Sequence, residues 1–212
     1  MVSKALRAQL FAYAFGFGFG GFANAQAPEP TPYVAARAMI EEAQLSDVFE
    51  PVEDERISVR HIASGLVCHF SFNNIRAEVV IFSGQQRGDD VGCLHETDIR
   101  ATTLYATRYD PPMSAEQALD SAIAGIRDRF DDEQPTPALA TLQSDALPQP
   151  HVAHFLITVR GERWITSALV ARSGDWVIKL RYSARAVEDD SLMRHQLEAG
   201  AIFTLALLEM RN

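Results

Sequence analysis

Four side chains in this sequence could bind a soft metal or, in two cases, bond to one another: Cys68, His69, Cys93 and His95. Thiolate and imidazole are ligands that zinc and copper accept, and His61 is near enough in sequence to serve as a fifth. The spacing works against one shared site. Neighbouring strand residues point to opposite faces, so Cys68 and His69 diverge, whereas Cys93 and His95 lie on the same face. A disulfide needs less, provided the chain reaches an oxidising compartment. The two cysteines flank the Phe72 to Gly92 excursion, which places them on neighbouring strands or at the base of one long hairpin. Closing such a loop stabilises a fold by about 3 kcal/mol. They are too far apart for a C-x-x-C redox motif. Free thiols and an intermolecular bond are the remaining alternatives.

Other chemistry is sparse. There is no G-x-S-x-G elbow, phosphate loop, G-x-G-x-x-G turn or EF-hand, and no motif that calls for a cofactor. His95-Glu96 begins like a zinc-protease helix, but Ile99 stands where the second histidine belongs. His151, His154 and His195 are scattered, and a histidine in a half-buried strand is more often hydrogen-bonded than catalytic. The enzyme alternative is a small hydrolase with an unrecognised site, which a pocket gathering His, Asp or Ser would reveal. The stretch from Arg160 to Arg185 is a stronger hint. It carries Arg160, Arg163, Arg172, Lys179, Arg181 and Arg185 against Glu162 and Asp175. Lys179 and Arg181, with Arg163 or Arg172 beside them, suit a carboxylate, a phosphate, a lipid head group or an acidic partner. The competing expectation is a solvated face whose arginines pair with loop acids and stabilise little.

The elements that must position these groups are legible from periodicity. Val152 to Val159, Arg163 to Ala171 and Asp175 to Ser183 read as three antiparallel strands. In the last, Trp176, Ile178, Leu180 and Tyr182 share one parity, while Val177, Lys179, Arg181 and Ser183 share the other, mostly wet one. Arg160-Gly161-Glu162 and Ser173-Gly174-Asp175 supply the hairpin turns. A helix from Ser191 to Met210 follows the acidic run 188 to 190. Met193, Leu197, Ala201, Leu205 and Leu208 form a stripe on it that Ile202, Phe203, Ala206 and Leu207 widen nearly all the way round, so the helix is expected to be clamped against the sheet with Gly200 at a close contact. Upstream, Val34 to Ala43 read as a short helix with Ala35, Met39 and Ala43 on one side, and Glu50 to Glu55 as loop. Arg56 to Tyr109 read as a second meander of strands. Ser114 and Gln117 make a capping box for a helix from Ala115 to Phe130, with Leu119, Ala122, Ile123, Ile126 and Phe130 inward. A short strand is expected at Ala138 to Gln143.

The first 25 residues are of another kind. Lys4 and Arg7 precede an apolar stretch from Leu10 to Phe22, and Ala23-Asn24-Ala25 offers the small residues a signal peptidase reads. The expected division is a signal peptide over 1–25, a proline-rich tether over 26–33 and a single α+β domain over 34–212. The chain is acidic, with a formal net charge of −9. Losing Lys4 and Arg7 would make it more so, which argues against nucleic acid as a partner. The apolar run from Ala199 to Leu208 is about half of what a membrane-spanning helix needs.

The helix after Ser114, the hairpin, the strand Trp176 to Arg181 and the closing helix together resemble the Mog1/PsbP-like α/β/α proteins over about residues 110 to 210. That resemblance implies an accessory or binding module without catalysis, and it carries over no functional residue. The expected fold is α+β, an antiparallel sheet in two meanders packed against two main helices. The expected function is a periplasmic or secreted binding protein for an envelope protein or an anionic ligand. The alternatives are the small hydrolase and a metal-handling protein using Cys68, His69, Cys93 and His95.

Overall fold

The computed structural model describes residues 30–82, 86–138, 146–187 and 191–211. A helix α1 (Pro32–Glu42) leads into β1 (Phe49–Val52), β2 (Ile57–His61) and β3 (Val67–Phe70). Next come β4 (Arg76–Ile81), β5 (Asp90–Glu96), β6 (Arg100–Thr107), α2 (Ala115–Arg127) and β7 (Gln134–Thr136). The C-terminal part is β8 (His151–Val159), β9 (Glu162–Ser173), β10 (Trp176–Arg185) and α3 (Ser191–Glu209). The fold is α+β with two antiparallel sheets: β1-β2-β3, and a seven-stranded sheet in the order β4-β5-β6-β10-β9-β8-β7.

Local chemistry explains most of the elements. At the β8–β9 turn Arg160 and Gly161 both hold positive φ, +52° and +82°, as a two-residue hairpin of matching twist requires. The capping box of α2 is made in both directions: Gln117 N–H donates to Ser114 Oγ at 3.1 Å, and Ser114 N–H donates to Gln117 Oε1 at 2.9 Å. Thr31 caps α1, whose first residue is Pro32, so the helix begins inside the segment expected to be a tether.

The large sheet has a core on each face. Its inner face, carrying Val79, Val91, Cys93, Leu104, Leu169, Ile178, Leu180 and Tyr182, packs against the small sheet, α1 and α3. On the outer face, α2 lies over β8, β9 and the start of β10, burying Ile126 with Phe155, Ile157 and Ala168, and Ala118 with Val170 and Val177.

Several expectations need correction. Residues 49–52 are strand β1, not loop, because Phe49 and Val48 are buried and pair the segment with β2. The first-half meander divides: β2 and β3 join β1, while β4, β5 and β6 join the large sheet. The fully buried residues of α1 are Ala36 and Ile40, with Ala35, Met39 and Ala43 at the margin. A three-residue strand occurs at Gln134–Thr136, and most of the strand expected at 138–143 lies outside the described residues, as does the expected signal segment. Of the apolar residues expected nearly all round the closing helix, those that widen the stripe are the buried ones. Met193 and Leu197 are 57% and 58% exposed, with Leu205 and Leu208 also outward, while Ala199, Phe203, Ala206 and Leu207 face the sheet. Gly200 has open space where a Cβ would stand, so it makes no close contact in this fold.

Candidate functional site

Cys68 on β3 and Cys93 on β5 are joined, with Cα atoms 6.2 Å apart. The bond runs between the two sheets, whereas the sequence placed the pair on neighbouring strands or one hairpin. Among the described residues no group of three or more His, Cys, Asp or Glu side chains is arranged to hold a metal. His69 points away from the cystine, and His95 lies on the inner face beside Phe70, ring centroids 6.1 Å apart.

His69 belongs to a polar cluster the sequence did not reveal. Ser58 Oγ lies 2.7 Å from its Nδ1 and donates to Asp54 Oδ2 at 2.8 Å, while Glu209 Oε2 is 2.8 Å from its Nε2. Ser, His and carboxylates within hydrogen-bond reach are the constellation expected of a hydrolase. Ser58, however, is 0% exposed, so an acyl substrate has no approach to its hydroxyl. The cluster ties the end of α3 to the small sheet. Tyr182, His195 and Glu198 tie the first half of the helix to the large sheet. The Tyr182 hydroxyl donates to Glu198 Oε2 at 2.6 Å and lies 2.9 Å from His195 Nδ1, and Arg100 pairs with Glu198. Burial and the bond to Glu198 push the Tyr182 phenol well above its usual range.

Three other histidines are structural. His61 contacts Ser64 Oγ at 2.8 Å and His154 contacts Ser167 Oγ at 2.7 Å. Burial lowers His61, His95 and His154 to about 4. Below a pH of about 6.5 the unfolded chain therefore takes up protons that the folded chain refuses, so stability falls as pH drops from about 6.5 towards 4 and is constant above that window. The expected loss is on the order of 2 kcal/mol for each of the buried His61 and His154. Urea unfolding at pH 7 and pH 4.5 checks this, and equal midpoints would refute it.

Among the described residues, the outer face of β4, β5, β6 and β10, beside α2, is left open. Register fixes what stands on it. Lys179 pairs across to Tyr105, Arg181 to Thr103, and Tyr105 to Gly92 on β5. Phe82 covers Gly92, where a Cβ would come within 2.7 Å of the Phe82 ring, and lies 5.2 Å from the Tyr105 ring. Lys179 Nζ sits 4.4 Å above Tyr105. Among the described residues α2 is the helix on this sheet face, and it contacts β8 and β9, leaving Phe82, Leu94, Tyr105, Lys179 and Arg181 half-exposed.

Partial burial shifts the charged groups of this face. Burial pulls the Lys179 ammonium below the usual lysine range, with Asp90 opposing and Arg181 adding to the shift. Burial and Arg129 lower Arg181. Burial raises the Asp90 carboxyl, against a 2.8 Å hydrogen bond from Thr107 and the pull of Lys179. Among the described residues the ion pairs form elsewhere, Arg185 with Glu162 for example, and neither Lys179 nor Arg181 has a carboxylate at ion-pair distance. Arg163 falls on the opposite parity of β9 from Ala168 and Val170, so it leaves from the inner side and does not join them. Arg172 turns back to the Gly174 carbonyl at 2.9 Å. Arg129, just beyond α2, is the cation that sequence reasoning missed. Nothing in the helix pattern places it near Arg181, since the helix–sheet packing alone does so.

No family model matches this chain, and no curated protein matches it. Among solved structures there is a weak likeness to the crystal structure of LpqN, a protein involved in cell envelope biogenesis of Mycobacterium tuberculosis. It covers 60% of this chain and 80% of that one, at 13% identity and a TM-score of 0.34. Among the described residues no helix is long and apolar enough to cross a membrane.

Proposed function

We propose that this is an exported, non-enzymatic binding protein of the periplasm or envelope, which holds an anionic group on the outer face of β6 and β10. The observation that carries the reading is the pair Lys179 and Arg181, half-buried on an open sheet beside Tyr105 and, among the described residues, without a carboxylate at ion-pair distance. A cation partly stripped of water and left unpaired gains from an arriving anion, because the Coulomb attraction is less screened there than in bulk water. Tyr105 and Phe82 add a flat apolar floor, so a phosphate or carboxylate attached to a ring fits better than a bare ion. The export part of the reading rests on the leader-like residues 1–25 and on the cystine. The order of elements from α2 to α3 supports the likeness to Mog1/PsbP-like accessory proteins, which is part of this proposal.

The test is an NMR titration with inorganic phosphate and with phenyl phosphate. Signals of Tyr105, Lys179 and Arg181 should shift with both, phenyl phosphate binding more tightly. The double variant Lys179→Met/Arg181→Met should bind at least about tenfold more weakly, the loss of one charge-assisted contact or more. If neither anion perturbs this face, or the double variant binds as the wild type does, the proposal is wrong.

A further inference from the structure

The large sheet has two edges that differ in kind. β7 is three residues long and contains Pro135, which withholds an amide and blunts that edge. β4 is six residues, Arg76 to Ile81, with β-branched Val79, Val80 and Ile81 and no proline. Its register with β5, together with the bond from Phe82 N–H to the Asp90 carbonyl, sets the alternation of hydrogen bonds. Arg76, Glu78 and Val80 face β5, and the amides and carbonyls of Ala77, Val79 and Ile81 point to the open edge. Among the described residues no strand pairs with that side. Alongside it runs a trough of about 520 Å³ between the end of α1 and β4, with Met39, Ala43 and Leu45 as its far wall.

The charges on this edge are self-complementary. Arg76 and Glu78 lie two residues apart on the outer face and pair with each other within the strand. An antiparallel second copy that sets its Ala77 opposite this Ala77 places each Arg76 opposite the other copy's Glu78. Sliding to the next register that keeps the faces matched would set Glu78 against Glu78, and like charges directly opposite disfavour pairing. We propose that the chain forms a two-fold dimer by adding β4 to β4. The outer faces of the two copies then lie on the same side of one continuous sheet, with the two Lys179–Arg181 platforms facing the same way. The pairing itself does not depend on what those platforms bind. A contact of one strand and a trough is at the small end of interface sizes, so association in the micromolar range is expected.

Sedimentation velocity on the full domain, from micromolar to millimolar concentration, tests this, with circular dichroism to show that each variant is folded. The wild type should dimerise. Glu78→Arg and Arg76→Glu should each weaken the dimer by about tenfold or more, because like charges then meet across the seam. An equimolar mixture of those two variants should dimerise again, since each supplies the charge the other lacks. A wild type that stays monomeric throughout, as it would if this edge served a foreign strand, overturns the proposal. So does a dimer that Glu78→Arg leaves intact, or a mixture that fails to recover.

Discussion

Phe203→Ala is expected to lower the unfolding free energy by about 3–5 kcal/mol, whereas Leu197→Ala is expected to change it by less than about 0.5 kcal/mol. The two residues sit less than two turns apart on α3 and are both large and apolar, so composition does not separate them. Burial does: Phe203 is 1% exposed against the inner face of the large sheet, and Leu197 is 58% exposed. Removing the ring leaves a cavity in the main core, and α3 can close it only by breaking its own anchors. Urea denaturation of the two variants is the measurement. Equal losses, or a larger loss for Leu197→Ala, would mean that the helix presents its Leu197 face to the sheet.

The second large effect is expected from the cystine. Cys68→Ala/Cys93→Ala should cost about 3 kcal/mol in the chain-entropy account, the loop between the sulfurs spanning 25 positions. Both sites are nearly fully buried, and the bond is a covalent cross-link between two sheets that otherwise meet through side-chain packing and the chain running from β3 to β4. Wild-type protein with reductant present should unfold at nearly the same urea concentration as the double variant. A reduced wild type as stable as the oxidised one would show that the packing of Val59, Phe70, Val79 and Leu104 holds the sheets together unaided.

Much of the architecture was legible before the structure. Parity alone separated Trp176, Ile178, Leu180 and Tyr182 from Lys179 and Arg181, and these residues do lie on opposite faces of β10. The turns at Gly161 and Gly174 and the Ser114 box were legible for the same reason, since each depends on residues within four positions of one another. The first half was harder. β1, β2 and β3 are four or five residues long, and β2 is buried at Ile57, Ser58 and Val59 in succession, so alternation could not reveal which sheet they join. The candidate site was half legible. Lys179 and Arg181 were found by parity, Arg163 was grouped with them although β9 turns it to the other face, and Arg129 was missed.

By itself, then, the sequence determined the class of the fold, the strands and turns of the C-terminal half, the capped helix and the availability of two cysteines for one bond. All of these follow from short-range periodicity and local backbone preference. Only the tertiary structure decided how α3 is rotated and which cations, among the described residues, stand without a carboxylate at ion-pair distance. The helix is apolar on both sides, so hydrophobicity alone leaves its rotation open. Polar contacts with remote groups choose it: Glu198 with Arg100 and Tyr182, Gln196 with the Pro137 carbonyl, and Glu209 with His69. Likewise, whether Lys179 has a carboxylate beside it depends on strands and helices brought together from across the chain, at separations that no local pattern encodes.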